Sequence, residues 1–109
     1  MQNGDGVVIE WAPFRAAAGV SDEAIVAASE ALQRDFLRHQ RGFVRRELLR
    51  GADGGWVDVV YWADAGSADA VMGAVAESPA CRAYFALMQG ADAADPAAGV
   101  LHLHRVRSY

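Results

Sequence analysis

The stretch from Gly42 to Trp62, GFVRRELLRGADGGWVDVVYW, decides the fold of this chain. Two runs rich in β-branched and aromatic residues flank the tetrapeptide ADGG at positions 52–55. This pattern is typical of a β-hairpin, because Asp and Gly supply the backbone conformations that a tight turn needs. The stretch therefore predicts two consecutive antiparallel strands.

The length of the hairpin loop sets which side chains share a face of the sheet. A two- or four-residue loop centred on Asp53-Gly54 places Leu49 opposite Asp58 and Arg45 opposite Trp62, whereas a three-residue loop with a bulge shifts the pairing by one. We expect the first register. One face then holds Phe43, Arg45, Glu47, Leu49, Trp56, Asp58, Val60 and Trp62, and the other holds Val44, Arg46, Leu48, Arg50, Val57, Val59 and Tyr61.

Elements predicted on both sides of the hairpin complete a single α+β domain. Each helix begins at a serine N-cap, and proline opens the restart of the second helix. The predicted elements are a strand at 7–14, a helix from Ser21 to Gly42, a helix capped by Ser67 and restarted at Ser78-Pro79, a loop at 90–99 and a strand at 100–107. The order β-α-β-β-α-β predicts a ferredoxin-like split βαβ fold, a four-stranded antiparallel sheet with both helical segments on one face.

Composition limits the class of protein. A chain of 109 residues that is 53% hydrophobic predicts one domain, 1–109, with a real core and with residues 1–5 frayed. The first residues, MQNGDG, predict no signal peptide, and no apolar run is long enough for a membrane span. A single cysteine, Cys81, indicates a cytoplasmic location, and a net charge of −4 argues against nucleic acid as a partner.

Both faces of the predicted sheet carry large apolar side chains. An antiparallel sheet with one face in water normally alternates between apolar and polar residues. Two helical segments can cover only one face, and the other would expose a large apolar patch. The sequence therefore predicts a homodimer that packs sheet to sheet.

The chain resembles the antibiotic biosynthesis monooxygenase-like group of dimeric α+β barrels over almost its whole length. The segments that carry the resemblance are VVIEWAPFR, QRGFVRRELL, DGGWVDVVYW and SPACRAYF. This group includes cofactor-free oxygenases, haem-degrading enzymes, isomerases and proteins without known activity. Haem degradation in the group uses an axial His on the second helix, and this chain has Arg82 and Tyr84 in that region. The resemblance therefore implies a dimer without cofactor, with a small-molecule pocket between sheet and helices.

The resemblance places Trp62 on the wall of that pocket, although a core aromatic would fit the same position. Asp58 shares its strand face, and an Asp in mid-strand is uncommon. A buried Asp58 needs a partner, which the expected register supplies as Arg45. Asp58 is therefore either a structural partner of Arg45 or a pocket carboxylate that accepts a proton.

His102 and His104 alternate with leucines, so both point to one face of the last strand. A metal site would need Glu10 or Asp58 as a third ligand, and no metal-binding motif is present, so we expect no metal. The alternatives are a pocket base, with His104 the better candidate, or hydrogen-bonded sheet histidines. Glu10 is expected at a structural position or at the dimer seam.

The functional prediction is a cofactor-independent monooxygenase of an aromatic or polyketide-like molecule. The predicted catalytic residues are Asp58, Trp62 and His104, and the predicted substrate-binding residues are Arg45, His102, Tyr84 and Phe85. A non-catalytic binding or sensing dimer, or a cofactor-free isomerase or cyclase, would use the same pocket. The sequence leaves open whether the chain is an enzyme.

Overall fold

A computed structural model describes residues 6–91 and 95–109. The predicted frayed segment 1–5 and residues 92–94 of the predicted loop lie outside the described residues. The elements are β1 (Val8–Phe14), α1 (Asp22–Asp35), a 3₁₀ turn (Leu37–His39), β2 (Phe43–Arg50), β3 (Trp56–Trp62), α2 (Ala65–Val75), α3 (Pro79–Phe85) and β4 (Leu101–His104).

The four described strands form one antiparallel sheet in the order β2-β3-β1-β4. The hairpin β2-β3 forms one edge, and β4 pairs with β1 at the other. The helices pack on one face, where their apolar side chains and those of the strands form the core. The predicted ferredoxin-like α+β fold is confirmed. No helix among the described residues is long and apolar enough to cross a membrane.

Helix caps explain most of the boundaries. The hydroxyl of Ser21 accepts a hydrogen bond from the Ala24 amide, and Ser78 caps α3 in the same way with proline at its first position. The expected cap at Ser67 is wrong. Asp64 caps α2, because its carboxylate accepts from the Ser67 amide at 2.7 Å and so starts the helix earlier.

The first helix is shorter than predicted. It ends at Asp35, and the 3₁₀ turn carries the chain to Gly42, which has φ +81°. A Cβ at this position would collide with the side chain of Ser67 on α2. Gly42 therefore serves both a left-handed turn and a close approach between the hairpin and α2.

The hairpin loop has an odd number of residues, which overturns the predicted register of β2. The Gly51 amide donates to the Gly55 carbonyl at 2.7 Å, and inside this five-residue loop the Asp53 carboxylate accepts from the Gly55 amide. Leu48 consequently pairs with Asp58. The expectation that Arg45, Glu47 and Leu49 share a face with Asp58 is wrong; the residues that do so are Arg46, Leu48 and Arg50.

The two faces of the sheet differ in what covers them. The inner face, which carries Val8, Val60 and Trp62, is buried against the helices. The opposite face exposes large apolar side chains, at Trp11, Leu49, Leu101 and Leu103. We call this second surface the outer face.

Candidate functional site

A cavity of about 200 Å³ lies between the inner face of the sheet and the helices. Strands β1 and β3 form its floor, and side chains from α1, α2 and α3 and from the segment before β4 form its walls. Two carboxylates, the buried Asp58 and the partly buried Glu10, line it among mostly apolar residues. The aromatic and sulfur-containing part of the lining includes Phe14, Phe36, Trp62, Tyr84, Phe85 and Met88.

Asp58 is held by a buried network. Its carboxylate accepts two hydrogen bonds from the Arg46 guanidinium, at 2.7 and 2.9 Å, and one from the Tyr84 hydroxyl at 2.8 Å. The side chains of Arg46 and Asp58 are only 6% and 9% exposed. The lone pairs of Asp58 are thus directed at protein donors rather than at a ligand.

The pKa values of Arg46 and Tyr84, the two residues that donate to Asp58, agree with these hydrogen bonds. Burial alone would lower the pKa of Arg46, but the hydrogen bonds and charge of Asp58 raise it above its ordinary value. Burial and then the charge of Asp58 raise the pKa of the Tyr84 phenol above its usual range. The guanidinium therefore stays charged and the phenol stays protonated, so both remain donors.

The predicted pairing of Arg45 with Asp58 is wrong because of the shifted register. Arg45 lies on the outer face, where its guanidinium donates to Glu47 at 2.7 Å and stacks 4.5 Å from the centre of the Tyr61 ring. The sheet separates it from the cavity. Arg46, one residue later, occupies the place that the sequence analysis gave to Arg45.

Glu10 is the second carboxylate of the cavity, and its surroundings differ. Its Oε1 accepts a hydrogen bond from the Trp62 indole at 3.2 Å and lies 4.0 Å from Nε2 of His102. Its side chain is 15% exposed. Burial raises the pKa of Glu10 to about 7, an effect that the Trp62 bond opposes and the charge of Asp58 reinforces. Glu10 therefore changes protonation near neutral pH, as a proton-transfer group must.

The two histidines of β4 share a face, as the alternation predicts, and the structure shows that it is the inner face. His102 pairs with Glu10 in the register, and His104 pairs with Val8. The cavity lining contains neither histidine, and His104 is exposed at the edge of the sheet. His102 is thus the one in contact range of a cavity carboxylate, whereas a catalytic role for His104 stays a prediction.

The structure brings four of the predicted site residues together around the cavity, namely Asp58, Trp62, Tyr84 and Phe85. Sequence reasoning missed the roles of Glu10 and Arg46. The signal for Glu10 was present, because it alternates with Val8 and Ala12 and must share their inward face. Within 6–91 and 95–109, no group of three or more His, Cys, Asp or Glu is placed to hold a metal ion.

We expect Asp58→Asn to destabilise the protein by about 3–5 kcal/mol, because it leaves the Arg46 guanidinium buried without a counter-charge. Urea unfolding measures the difference. Asp35→Asn is the matched control, since the Arg34–Asp35 pair is exposed and its loss should leave the unfolding midpoint unchanged. Equal losses in the two variants would contradict a stabilising role for the buried network.

We expect the stability contributed by Glu10 to fall as pH rises. Its pKa is about 7 in the folded protein against 4.5 for the ordinary group, so between these values the folded state holds a proton that the unfolded chain releases. The contribution is complete below pH 4.5 and lost above pH 7, a change on the order of 3 kcal/mol. Glu10→Gln should therefore gain stability relative to the parent between pH 5 and pH 8 in urea unfolding. The exposed Glu77→Gln should show no such pH-dependent gain.

Comparison with known proteins shows which solved structures share this fold. The sequence matches no family model and no curated protein. Among solved structures, SnoaB, a cofactor-independent oxygenase from Streptomyces nogalater, has a TM-score of 0.66 at 20% identity, over 95% of each chain. A "putative antibiotic biosynthesis monooxygenase" from Caulobacter crescentus has a TM-score of 0.63 at 12% identity, over 98% of this chain and 94% of that one.

A third solved structure is a dimeric ferredoxin-like protein of unknown function from Jannaschia sp., with a TM-score of 0.60 at 14% identity, over 91% of this chain and 97% of that one. All three sequence identities are low, so the similarity shows a shared fold and not a shared activity. The resemblance to the antibiotic biosynthesis monooxygenase-like group is confirmed at that level: the chain has the α+β fold of these oxygenase-related proteins.

Proposed function

We propose that this protein is a cofactor-independent monooxygenase of a small hydroxylated aromatic molecule, with Glu10 as the proton acceptor. The observation that carries the proposal is a buried carboxyl of pKa about 7 that opens into a cavity with aromatic walls. The fold likeness to SnoaB, a cofactor-independent oxygenase, supports the reaction class.

The proposed reaction needs an electron-rich substrate anion. Glu10 takes a proton from the substrate, and the anion gives its electrons to oxygen. When the oxidised centre is a CH₂ group, one oxygen atom becomes its carbonyl oxygen and the other leaves as water with both hydrogens. The substrate carbon supplies all four electrons. The protein then has to move protons, position the ring and exclude water.

The hydrogen bonds around Glu10 suit this role. Trp62 donates to Oε1, which holds the carboxyl in place and leaves Oε2 for a substrate hydroxyl. Because its pKa lies near 7, Glu10 can accept the first proton and later return one to the leaving hydroxide. This assignment replaces Asp58 as the base, since three protein donors already occupy the Asp58 carboxylate.

Asp58 acts in this proposal as a positioning residue. It fixes Tyr84 on α3 through a direct hydrogen bond, and Tyr84 and its neighbour Phe85 form one wall of the cavity. Arg46 neutralises Asp58, whereas among the described residues no arginine forms an ion pair with Glu10, the other inward-facing carboxylate of the cavity. Trp62 lines the cavity and supplies the donor that orients Glu10.

We expect oxygen uptake when the protein is given an oxygen-sensitive hydroxylated aromatic of two rings, such as 1,3-dihydroxynaphthalene. Uptake should increase through pH 7 as Glu10 ionises, and Glu10→Gln should lower the rate about 10²–10⁴-fold, the usual contribution of a general base. An oxygen electrode measures both. Glu77→Gln, which changes an exposed carboxylate after α2, is the control and should keep the parent rate.

Other outcomes of this experiment separate the rival functions. Substrate conversion without oxygen consumption would reject the monooxygenase and favour a cofactor-free isomerase or cyclase. Binding without any conversion would favour a sensing or carrier protein. An unchanged rate in Glu10→Gln would reject Glu10 as the base.

We also propose that two copies pair through their outer faces. The outer face exposes Trp11, Leu101 and Leu103, of which Leu101 is 57% exposed, and no described helix covers it. The Jannaschia protein of the same fold is dimeric. Burial of this apolar surface against a second copy would remove it from water.

We expect Leu101→Glu to convert a dimer to a monomer at micromolar concentration, because it would bury a charge within the apolar contact. Sedimentation equilibrium measures the change in mass. Val26→Glu is the matched control, since Val26 is an exposed apolar residue of α1, at 42%, away from the sheet. A parent protein that is already monomeric at that concentration would reject the pairing.

A further inference from the structure

We infer that the cavity selects uncharged hydroxylated aromatics of one or two rings and rejects aromatic carboxylates. The inference rests on the proposed function in placing the ligand against Glu10, and it adds the charge and size of the ligand class. Four features support it: Arg46 is already paired with Asp58, the described cavity lining carries acidic groups and no basic ones, Glu10 has a raised pKa, and the cavity is small.

Arg46, which forms the ion pair with Asp58, is not available to bind an anionic ligand. Arg46 donates from Nε and Nη2 to Asp58 and from Nη1 to the carbonyl oxygen of Ser29 at 3.1 Å. Its side chain is 6% exposed, and it is absent from the cavity lining. A ligand carboxylate would have to compete with Asp58 for a guanidinium that already makes a bidentate pair.

His102 lies outside the lining and already faces Glu10, with its Nε2 4.0 Å from Oε1. The rest of the described lining offers no replacement cation. It contains neither arginine nor histidine, and the chain has no lysine. Its ionisable acids are Glu10, Asp58 and Asp95, of which Glu10 and Asp58 are at the floor. A ligand carboxylate placed beside Glu10 would therefore bring two like charges together at low dielectric, and one of them would have to take up a proton.

A protonated amine is the competing ligand for a buried carboxylate. A single carboxylate is a weak partner for one here, because the burial that raises the pKa of Glu10 to about 7 also disfavours a charged pair at this site. The cost of stripping water from an ammonium would then be poorly compensated. A hydroxyl group has no such cost, and it can donate to the ionised form of Glu10 or accept from the protonated form.

The volume of the cavity limits the size of the ligand. Pockets for drug-sized molecules measure roughly 300–1,000 Å³. The cavity of about 200 Å³ is smaller, and its lining includes the aromatic side chains of Phe14, Trp62 and Tyr84. One or two fused aromatic rings fit these limits.

The test compares four probes of one shape by isothermal titration calorimetry at pH 7.5: 2-naphthol, 2-naphthoate, 2-naphthylmethylamine and naphthalene. We expect 2-naphthol to bind at least about tenfold more tightly than each of the others. At pH 5.5, where Glu10 holds its proton, the naphthoate should bind more tightly than at pH 7.5, although it is still ionised itself.

Two variants test whether Glu10 causes the preference for naphthol. Glu10→Gln should abolish the pH dependence of naphthoate binding and reduce the preference for naphthol to within about threefold. Glu77→Gln should leave the preference unchanged, because Glu77 is exposed and lies outside the cavity lining.

Two results would overturn the inference: naphthoate or the amine binding as tightly as naphthol at pH 7.5, or no measurable binding of any probe. Failure of the oxygenase proposal would show differently. In that case naphthol selectivity would be present and would depend on Glu10, while no hydroxylated aromatic supported oxygen uptake.

Discussion

The buried pair of Arg46 and Asp58 is the interaction on which the rest of this structure depends. It joins β2 to β3, and its remaining hydrogen bonds reach the Ser29 carbonyl on α1 and the Tyr84 hydroxyl on α3. Two charges can be removed from water only when geometry and further hydrogen bonds compensate them. Their burial therefore fixes where two helices lie over the sheet, and the space left beside them is the cavity.

The cavity thus holds two carboxylates with opposite environments. Asp58 has a guanidinium and a phenol as donors, whereas Glu10 has one indole donor and a histidine 4.0 Å away. The first carboxylate organises the fold, and the second changes protonation near pH 7. Separate environments for two neighbouring acids are a common way to divide structural and proton-transfer roles.

The hairpin shows which features of the fold could be predicted from the sequence and which could not. Alternation and turn residues were enough to predict the order of strands and helices along the chain, because those signals are local. The face of each β2 side chain depended on whether the loop had an even or odd number of residues. That number was set by hydrogen bonds of Asp53 and Gly51 that no periodicity reveals. The one-residue error moved the partner of Asp58 from Arg45 to Arg46. Glu10 was misjudged for another reason: its raised pKa comes from burial in the folded protein and from the charge of Asp58, which is distant in sequence.

The proposed dimer and the proposed active site meet on one strand. Adjacent residues of β1 point to opposite faces, so Glu10 lines the cavity while Trp11 lies on the outer face. Pairing through the outer face would cover Trp11 and remove water from the far side of the strand. The electrostatic field around Glu10 would then be screened less, which strengthens both its preference for the neutral form and its response to a bound hydroxyl. Assembly would in this way adjust the same carboxyl group that the cavity exposes to its ligand, without any contact between the partner and the ligand.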